Sequence, residues 1–104
     1  MKTIEEGKGI DWGTAEALAF ATLIQDGFDV RISGQDVERG TFSHRHAHVF
    51  YQDKDGHYNP ISAAIPKNGE KRSIIASNSH LSELAVLGYE LGYAQTHPNT
   101  LTLW

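Results

Sequence analysis

Residues 81–95, "LSELAVLGYELGYAQ", are apolar on most sides of a helix: Leu84, Ala85, Val86, Leu87, Tyr89, Leu91 and Tyr93 leave few directions polar. A helix of that kind is buried by other elements rather than laid on a surface, so the rest of the chain must supply layers. It offers short strands to do so. "FDVRIS" (28–33), "AHVFYQD" (47–53), "SIIAS" (73–77) and "TLTLW" (100–104) alternate, or are β-branched, in the manner of strands. A second helix, "WGTAEALAFATLIQDG", has Asp11 as its N-cap and helical spacing at Ala15, Leu18, Ala19, Thr22 and Leu23. Gly27 stands where that helix stops in a left-handed residue. "GQDVERGTFSHRH" (34–46) has no clean period and reads as a loop, and "KDGHYNP" as a turn. The order helix, strand, loop, strand, strand, helix, strand predicts an α/β fold, a mainly parallel sheet with flanking helices.

At 104 residues the chain is one compact domain at most, with residues 1–9 expected as a flexible lead-in. Its net charge of −4 and nine scattered basic residues argue against nucleic acid as a main partner. Without cysteine there is neither disulfide nor thiolate chemistry. No apolar run approaches the roughly 20 residues of a membrane span. The closing strand, "TLTLW", has no turn or cap after Trp104. Residues 10–104 are therefore expected to be the N-terminal part of a domain truncated at its C-terminal end, with an exposed sheet edge prone to self-association.

Several residues could carry chemistry. Glu83 stands in the first turn of its helix, where a carboxylate complements the helix dipole, so spacing alone reads it as a surface acid. Gly88 and Gly92, one turn apart, permit close backbone approach. His44, His46 and His48 alternate, and on a strand would share one face. They read either as a polar strand edge or as metal ligands. Asp36, Glu38, Arg39, Ser43, His44, Arg45 and His46 crowd into one loop after a strand. Loops at the carboxyl ends of strands are where open α/β sheets hold ligands. Arg39 and Arg45 suit a carboxylate or phosphate, although a salt-linked surface loop has the same composition. Arg39, His44 and His46 are the expected substrate contacts. No Gly-x-Ser-x-Gly turn occurs, and "GKG" follows no strand, so serine hydrolase and dinucleotide readings fall away.

Three stretches together carry a resemblance: "IDWGTAEALAFATLIQDGFDVRISGQDVERGTFSHRH", "SNSHLSELAVLGYELGYA" and "TLTLW". Over roughly residues 10–104 they resemble the thiamine-diphosphate-dependent E1 component of the 2-oxoglutarate dehydrogenase complex, in its transketolase-like pyrimidine-binding domain. The resemblance implies that the acid of the "LSE" motif, here Glu83, contacts N1′ of the cofactor's aminopyrimidine, with Leu81 beside it in the cofactor site. Burial of Glu83 among apolar residues would favour the protonated carboxyl that donates to N1′. The resemblance also implies thiamine diphosphate and Mg2+, with the diphosphate and metal site outside this chain. It further implies oxidative decarboxylation of 2-oxoglutarate and transfer of the succinyl group to a lipoyl domain of the E2 succinyltransferase, in the tricarboxylic acid cycle. A homodimer would share each site between subunits, in the mitochondrial matrix of a eukaryote or the cytoplasm of a bacterium. This chain alone would be inactive. The sister E1 acting on 2-oxoadipate shares the motifs, and a non-catalytic interaction module is the alternative from another class. The third imidazole of "HRHAH" departs from the family, which more often has an apolar residue there.

Overall fold

The computed structural model describes residues 2–65, 72–80 and 82–104. In chain order its elements are α1 (Lys2–Glu6), α2 (Trp12–Gln25), β1 (Asp29–Gly34), β2 (Val49–Phe50), β3 (His57–Tyr58), α3 (Pro60–Ala64), β4 (Ile74–Asn78), α4 (Glu83–Thr96) and β5 (Thr100–Leu103). Strands β4, β1 and β5 form a parallel sheet in that spatial order. The expected α/β fold with a parallel sheet and flanking helices is what the chain adopts. Val30 pairs with Ile74 on one side and Leu101 on the other, so β1 is covered along both edges. Burial of Val30, Ile32, Ser33 and Gly34 along one short strand matches a central parallel strand, which has no wet face.

Helix α2 begins and ends where its sequence says. The Asp11 carboxylate accepts the Thr14 backbone N–H at 2.9 Å and the Thr14 hydroxyl at 3.0 Å, satisfying a donor that the first turn leaves orphaned. At the other end Gly27 adopts φ +91°. Its N–H reaches the Ile24 carbonyl at 3.2 Å, and the Phe28 N–H reaches Leu23 at 3.0 Å. That pair of bonds is a Schellman cap. Phe20 and Ile24 of α2 then join Val30, Ile32, Val37, Ala47, Ile74 and Ala76 in the apolar core.

Two expectations from the sequence fail in the middle of the chain. "AHVFYQD" is not a strand of the sheet: only Val49–Phe50 pair, antiparallel with His57–Tyr58, in a separate exposed ribbon. The cause lies upstream, where the loop closes on itself. The Arg39 carbonyl accepts the N–H groups of Arg45 (2.9 Å) and His46 (3.0 Å), and Glu38 accepts that of Ala47 (2.7 Å). Those amides are thereby taken from any sheet ladder. The second failure is α3, which "KDGHYNP" and its neighbours conceal as a turn. Asn59 caps it by accepting the Ser62 N–H at 2.9 Å, and Pro60 opens the first turn. Within the lead-in, Lys2–Glu6 form a short helix that buries no residue.

Strand residues point alternately to the two faces. Val30 and Ile32 face the core under α2, and Arg31 faces the opposite side, under α4. There its guanidinium forks onto Glu90, Nε to Oε2 at 2.7 Å and Nη2 to Oε1 at 2.9 Å. Tyr93 and Tyr89 lie over the guanidinium, ring centroids 4.7 and 5.5 Å away. On α4 only Val86 and Glu90 are buried. Leu84, at 83% exposure, and Leu87, Tyr89 and Leu91 face outward. The expected burial of this helix is therefore not met among the described residues. The sheet is three strands wide, and among the described residues no second layer covers α4. No described helix is long and apolar enough to cross a membrane.

Burial pushes the Glu90 carboxyl up, but the hydrogen bonds and charge of Arg31 outweigh it and hold the group below its ordinary value of 4.5. A carboxylate with a lowered folded-state pKa contributes stability that is complete above the unfolded value and lost as pH falls through the folded one. Glu90→Gln should therefore cost about 2 kcal/mol at pH 7, because it leaves Arg31 buried without its counter-ion. Urea midpoints of wild type and variant should converge as acidification carries the pH through the lowered Glu90 value. A gap that stays constant down to the acid transition would contradict this account.

Candidate functional site

A cleft of about 540 Å³ opens at the carboxyl ends of the three parallel strands. Gly34 ends β1, Ser79 follows β4 and Trp104 follows β5, and all three line it. The Ser79 N–H donates to the Gly34 carbonyl at 2.9 Å and ties two of these ends together. Ile32, Val37 and Leu103 give the cleft apolar walls, while Gln35, His44, Arg45 and Glu83 give it polar ones. A flat ring with a few convergent polar groups fits such a lining. This is the position that open α/β sheets reserve for ligands.

Glu83 is the first residue of α4, directly after the Ser82 cap, whose hydroxyl accepts the Ala85 N–H at 3.3 Å. Its carboxylate enters the cleft and accepts a long hydrogen bond from Gln35 Nε2, 3.4 Å to Oε1. The helix dipole also favours a negative group there. Glu83 is exposed, so the enclosure expected around it is not supplied by the described residues. Leu81 lies outside the described residues.

Loop 34–48 contributes the opposite wall but divides its charged residues between two places. His44 reaches the cleft, with its Nδ1 buried and unpaired. Arg45 also reaches it, yet is committed internally: Nε and Nη2 meet the two Glu16 oxygens at 2.7 and 3.0 Å, and Nη1 meets the Val37 carbonyl at 2.7 Å. His46 and Arg39 instead line a neighbouring hollow of about 270 Å³ with Asp36, Glu38 and His48. Arg39 is paired with Asp36, whose carboxyl its hydrogen bonds hold below the usual range, and donates to Ser43 Oγ at 2.9 Å. A His46 ring nitrogen lies 3.0 Å from the Ser43 carbonyl. Of the three expected substrate contacts, then, only His44 stands opposite Glu83. The shared face expected of His44, His46 and His48 is absent because no strand runs through them: His46 has φ +43° and His48 turns toward Glu38, 3.3 Å away. Among the described residues no three acidic, histidine or cysteine side chains converge to hold a metal ion.

Sequence reasoning missed Gln35 as a neighbour of Glu83, Trp104 as a cleft wall, and two glycines that make room for His44. A Cβ on Gly40 would lie 2.5 Å from His44 Cε1, and one on Gly13 would lie 2.7 Å from the His44 carbonyl oxygen. Gly40 also has φ +81°, so side chains are doubly unwelcome there. The signal available was the "RG" step inside a charged loop. Gly40→Ala should destabilise the chain by about 1–3 kcal/mol and shift the His44 ring resonances. Gly88→Ala, where nothing lies within 4 Å, should stabilise it by roughly 0.5–1 kcal/mol through helix propensity. Thermal melts and proton NMR of the two variants check both signs.

The sequence is similar to known proteins. Residues 8–104 match the family described as "Transketolase, pyrimidine binding domain". The chain is 52% identical, over 99% of its length, to the mitochondrial 2-oxoglutarate dehydrogenase of Saccharomyces cerevisiae. Against the mitochondrial 2-oxoglutarate dehydrogenase of Dictyostelium discoideum it is 55% identical over 96% of its length. It is also 50% identical, over its whole length, to the E1 component of the 2-oxoadipate dehydrogenase complex of Mus musculus. It covers 10%, 10% and 11% of those three proteins, so it spans about a tenth of each relative. A match across nearly all of the chain, on a parallel sheet with its cleft at the strand ends, leaves one assignment: the chain belongs to the transketolase pyrimidine-binding domain family.

Proposed function

We propose that this chain is the pyrimidine-binding part of a thiamine-diphosphate-dependent E1 enzyme that decarboxylates 2-oxoglutarate. The observation that carries the reading is Glu83: the acid of "LSE" opens α4 and enters the cleft at the strand ends. When bound, thiamine diphosphate supplies the nucleophilic carbon and the electron sink for loss of carbon dioxide. The work of this chain is to seat the aminopyrimidine. Glu83 would hydrogen-bond N1′, Leu81 would be a further contact to the cofactor, and Gln35 would orient the carboxylate from the opposite wall. Ile32, Val37 and Leu103 exclude water from one side of the ring, and a dry site strengthens each polar contact made within it. His44 is the substrate contact that the geometry supports. Arg39 and His46, turned to the neighbouring hollow and satisfied there, are outside that role.

The remainder of the function belongs to the longer protein. The diphosphate with its Mg2+, the second subunit of a homodimer, and the lipoyl domain of the E2 succinyltransferase that accepts the succinyl group are all outside residues 10–104. Residues 1–9 form a lead-in to the domain. The tricarboxylic acid cycle, in the matrix or in a bacterial cytoplasm, is the setting. The murine relative supports one competing reading, 2-oxoadipate as substrate, since identity to the two kinds of enzyme is nearly equal.

In the complete enzyme, Glu83→Gln or Glu83→Ala should slow exchange of the cofactor's C2 proton about 10²-fold or more while the fold stays intact. Quenched proton NMR measures that rate, and near-normal exchange would sink the assignment. The isolated chain should turn nothing over and bind thiamine diphosphate weakly at best. One hydrogen bond is worth about 1 kcal/mol net, against roughly 4–15 kcal/mol of freedom lost on association. Calorimetry with thiamine diphosphate and magnesium tests this, and micromolar binding would refute it.

A further inference from the structure

Helix α4 touches the sheet through very few side chains. Val86 and Glu90 are its buried residues, and Cβ atoms added at Gly88 or Gly92 would meet nothing within 4 Å. The apolar side chains that ordinarily fix how a helix rolls on a sheet, here Leu84, Leu87 and Leu91, face outward. Apolar packing thus leaves the rotation of α4 about its own axis poorly determined. What determines it is the fork between Arg31 and Glu90, with distances of 2.7 and 2.9 Å and side-chain exposures of 15% and 7%. A bidentate fork sets direction as well as distance, which a single point charge does not. Arg31 is itself fixed, since β1 is the central strand and is paired on both edges.

Glu83 and Glu90 are seven residues apart, which at 3.6 residues per turn places them within about 20° of one direction on the helix. The angle at which Glu90 meets the sheet is therefore the angle at which Glu83 meets the cleft. Among the described residues, the side chain that holds the Glu83 carboxylate is Gln35, at 3.4 Å, too long a contact to anchor a helix. A roll of about 20° moves a side-chain end, some 5–6 Å from the axis, by roughly 2 Å. Displacements of about 1 Å can cost 10²-fold in rate. We propose that Arg31 and Glu90 are positioning residues, which fix the rotation of α4 and so aim the Glu83 carboxylate into the cleft. Relevance to turnover rests on the cofactor role proposed for Glu83; the aiming itself does not.

The test has two parts. In the 104-residue chain, nitrogen-15 NMR follows the shift of the Gln35 side-chain amide, 3.4 Å from Glu83, that results when Glu83→Gln removes the carboxylate charge. In Glu90→Gln that Glu83-dependent shift should fall at least threefold while the β1, β4 and β5 backbone resonances hold. Arg31→Lys, which keeps the charge and loses the fork, should give a smaller loss and covers the case in which Glu90→Gln does not fold. Exchanging the pair, Arg31→Glu with Glu90→Arg, should recover part of the shift, a rescue that general loosening would not produce. An unchanged Gln35 shift in a folded single variant overturns the proposal. In the full-length enzyme, Glu90→Gln should slow C2 proton exchange at least tenfold. Should the Gln35 shift fall while C2 exchange stays normal, the aiming stands and the cofactor role of Glu83 fails.

Discussion

Strand β1 is the constraint on which everything else depends. Its backbone is consumed by two parallel partners, so it cannot shift in register without breaking both ladders. Its side chains alternate between two layers of opposite character. Val30, fully buried, and Ile32 face the apolar core beneath α2, while Arg31 presents a charge to α4 on the other side. One face is held by shape and the other by an ion pair. A buried ion pair adds little net stability compared with apolar packing but tolerates little misalignment, so the second face contributes more to direction than to strength.

The cleft is a by-product of how the three parallel strands end. Each strand releases its chain at the same edge, and the loop after β1 folds back rather than extending the sheet. The Arg39 carbonyl gathers two amides and Glu38 a third, and the pairing of Arg45 with Glu16 pins the loop to α2. Arg45 is thus a structural cation in a place where its charge suggests a ligand. His44 is held out into the cleft by backbone closure on one side and missing glycine side chains on the other. Glu83 is placed by other means: it opens a helix, and its direction follows the rotation of that helix.

Features with a local signature are legible in the sequence. Asp11 and Gly27 mark both ends of α2, β-branched residues mark β1 and β4, and "LSE" leads to Glu83. Contacts across long separations are not. Arg31 and Glu90 are 59 residues apart, and nothing near either one announces the other. The path of loop 34–48 depends on carbonyls capturing amides, to which side-chain patterns are blind; hence the division of His44 from His46 and Arg39 between two hollows is not legible in the sequence. In α3, Asn59 and Pro60 serve a turn and a helix start equally well. The apolar surface of α4 is real, but a sequence gives composition and not the number of layers available to cover it.

Three residues other than glycine in loop 34–48 occupy the left-handed region: Asp36 at φ +51°, Ser43 at +52° and His46 at +43°. Aspartate and histidine tolerate this conformation better than most, but each such residue still opposes the closures that hold the loop, by about 1 kcal/mol or somewhat more. The loop therefore sits nearer its own opening threshold than the sheet beside it. The amides of the wall carrying His44 should therefore exchange with solvent sooner than those of the sheet, while the direction of Glu83 follows its helix.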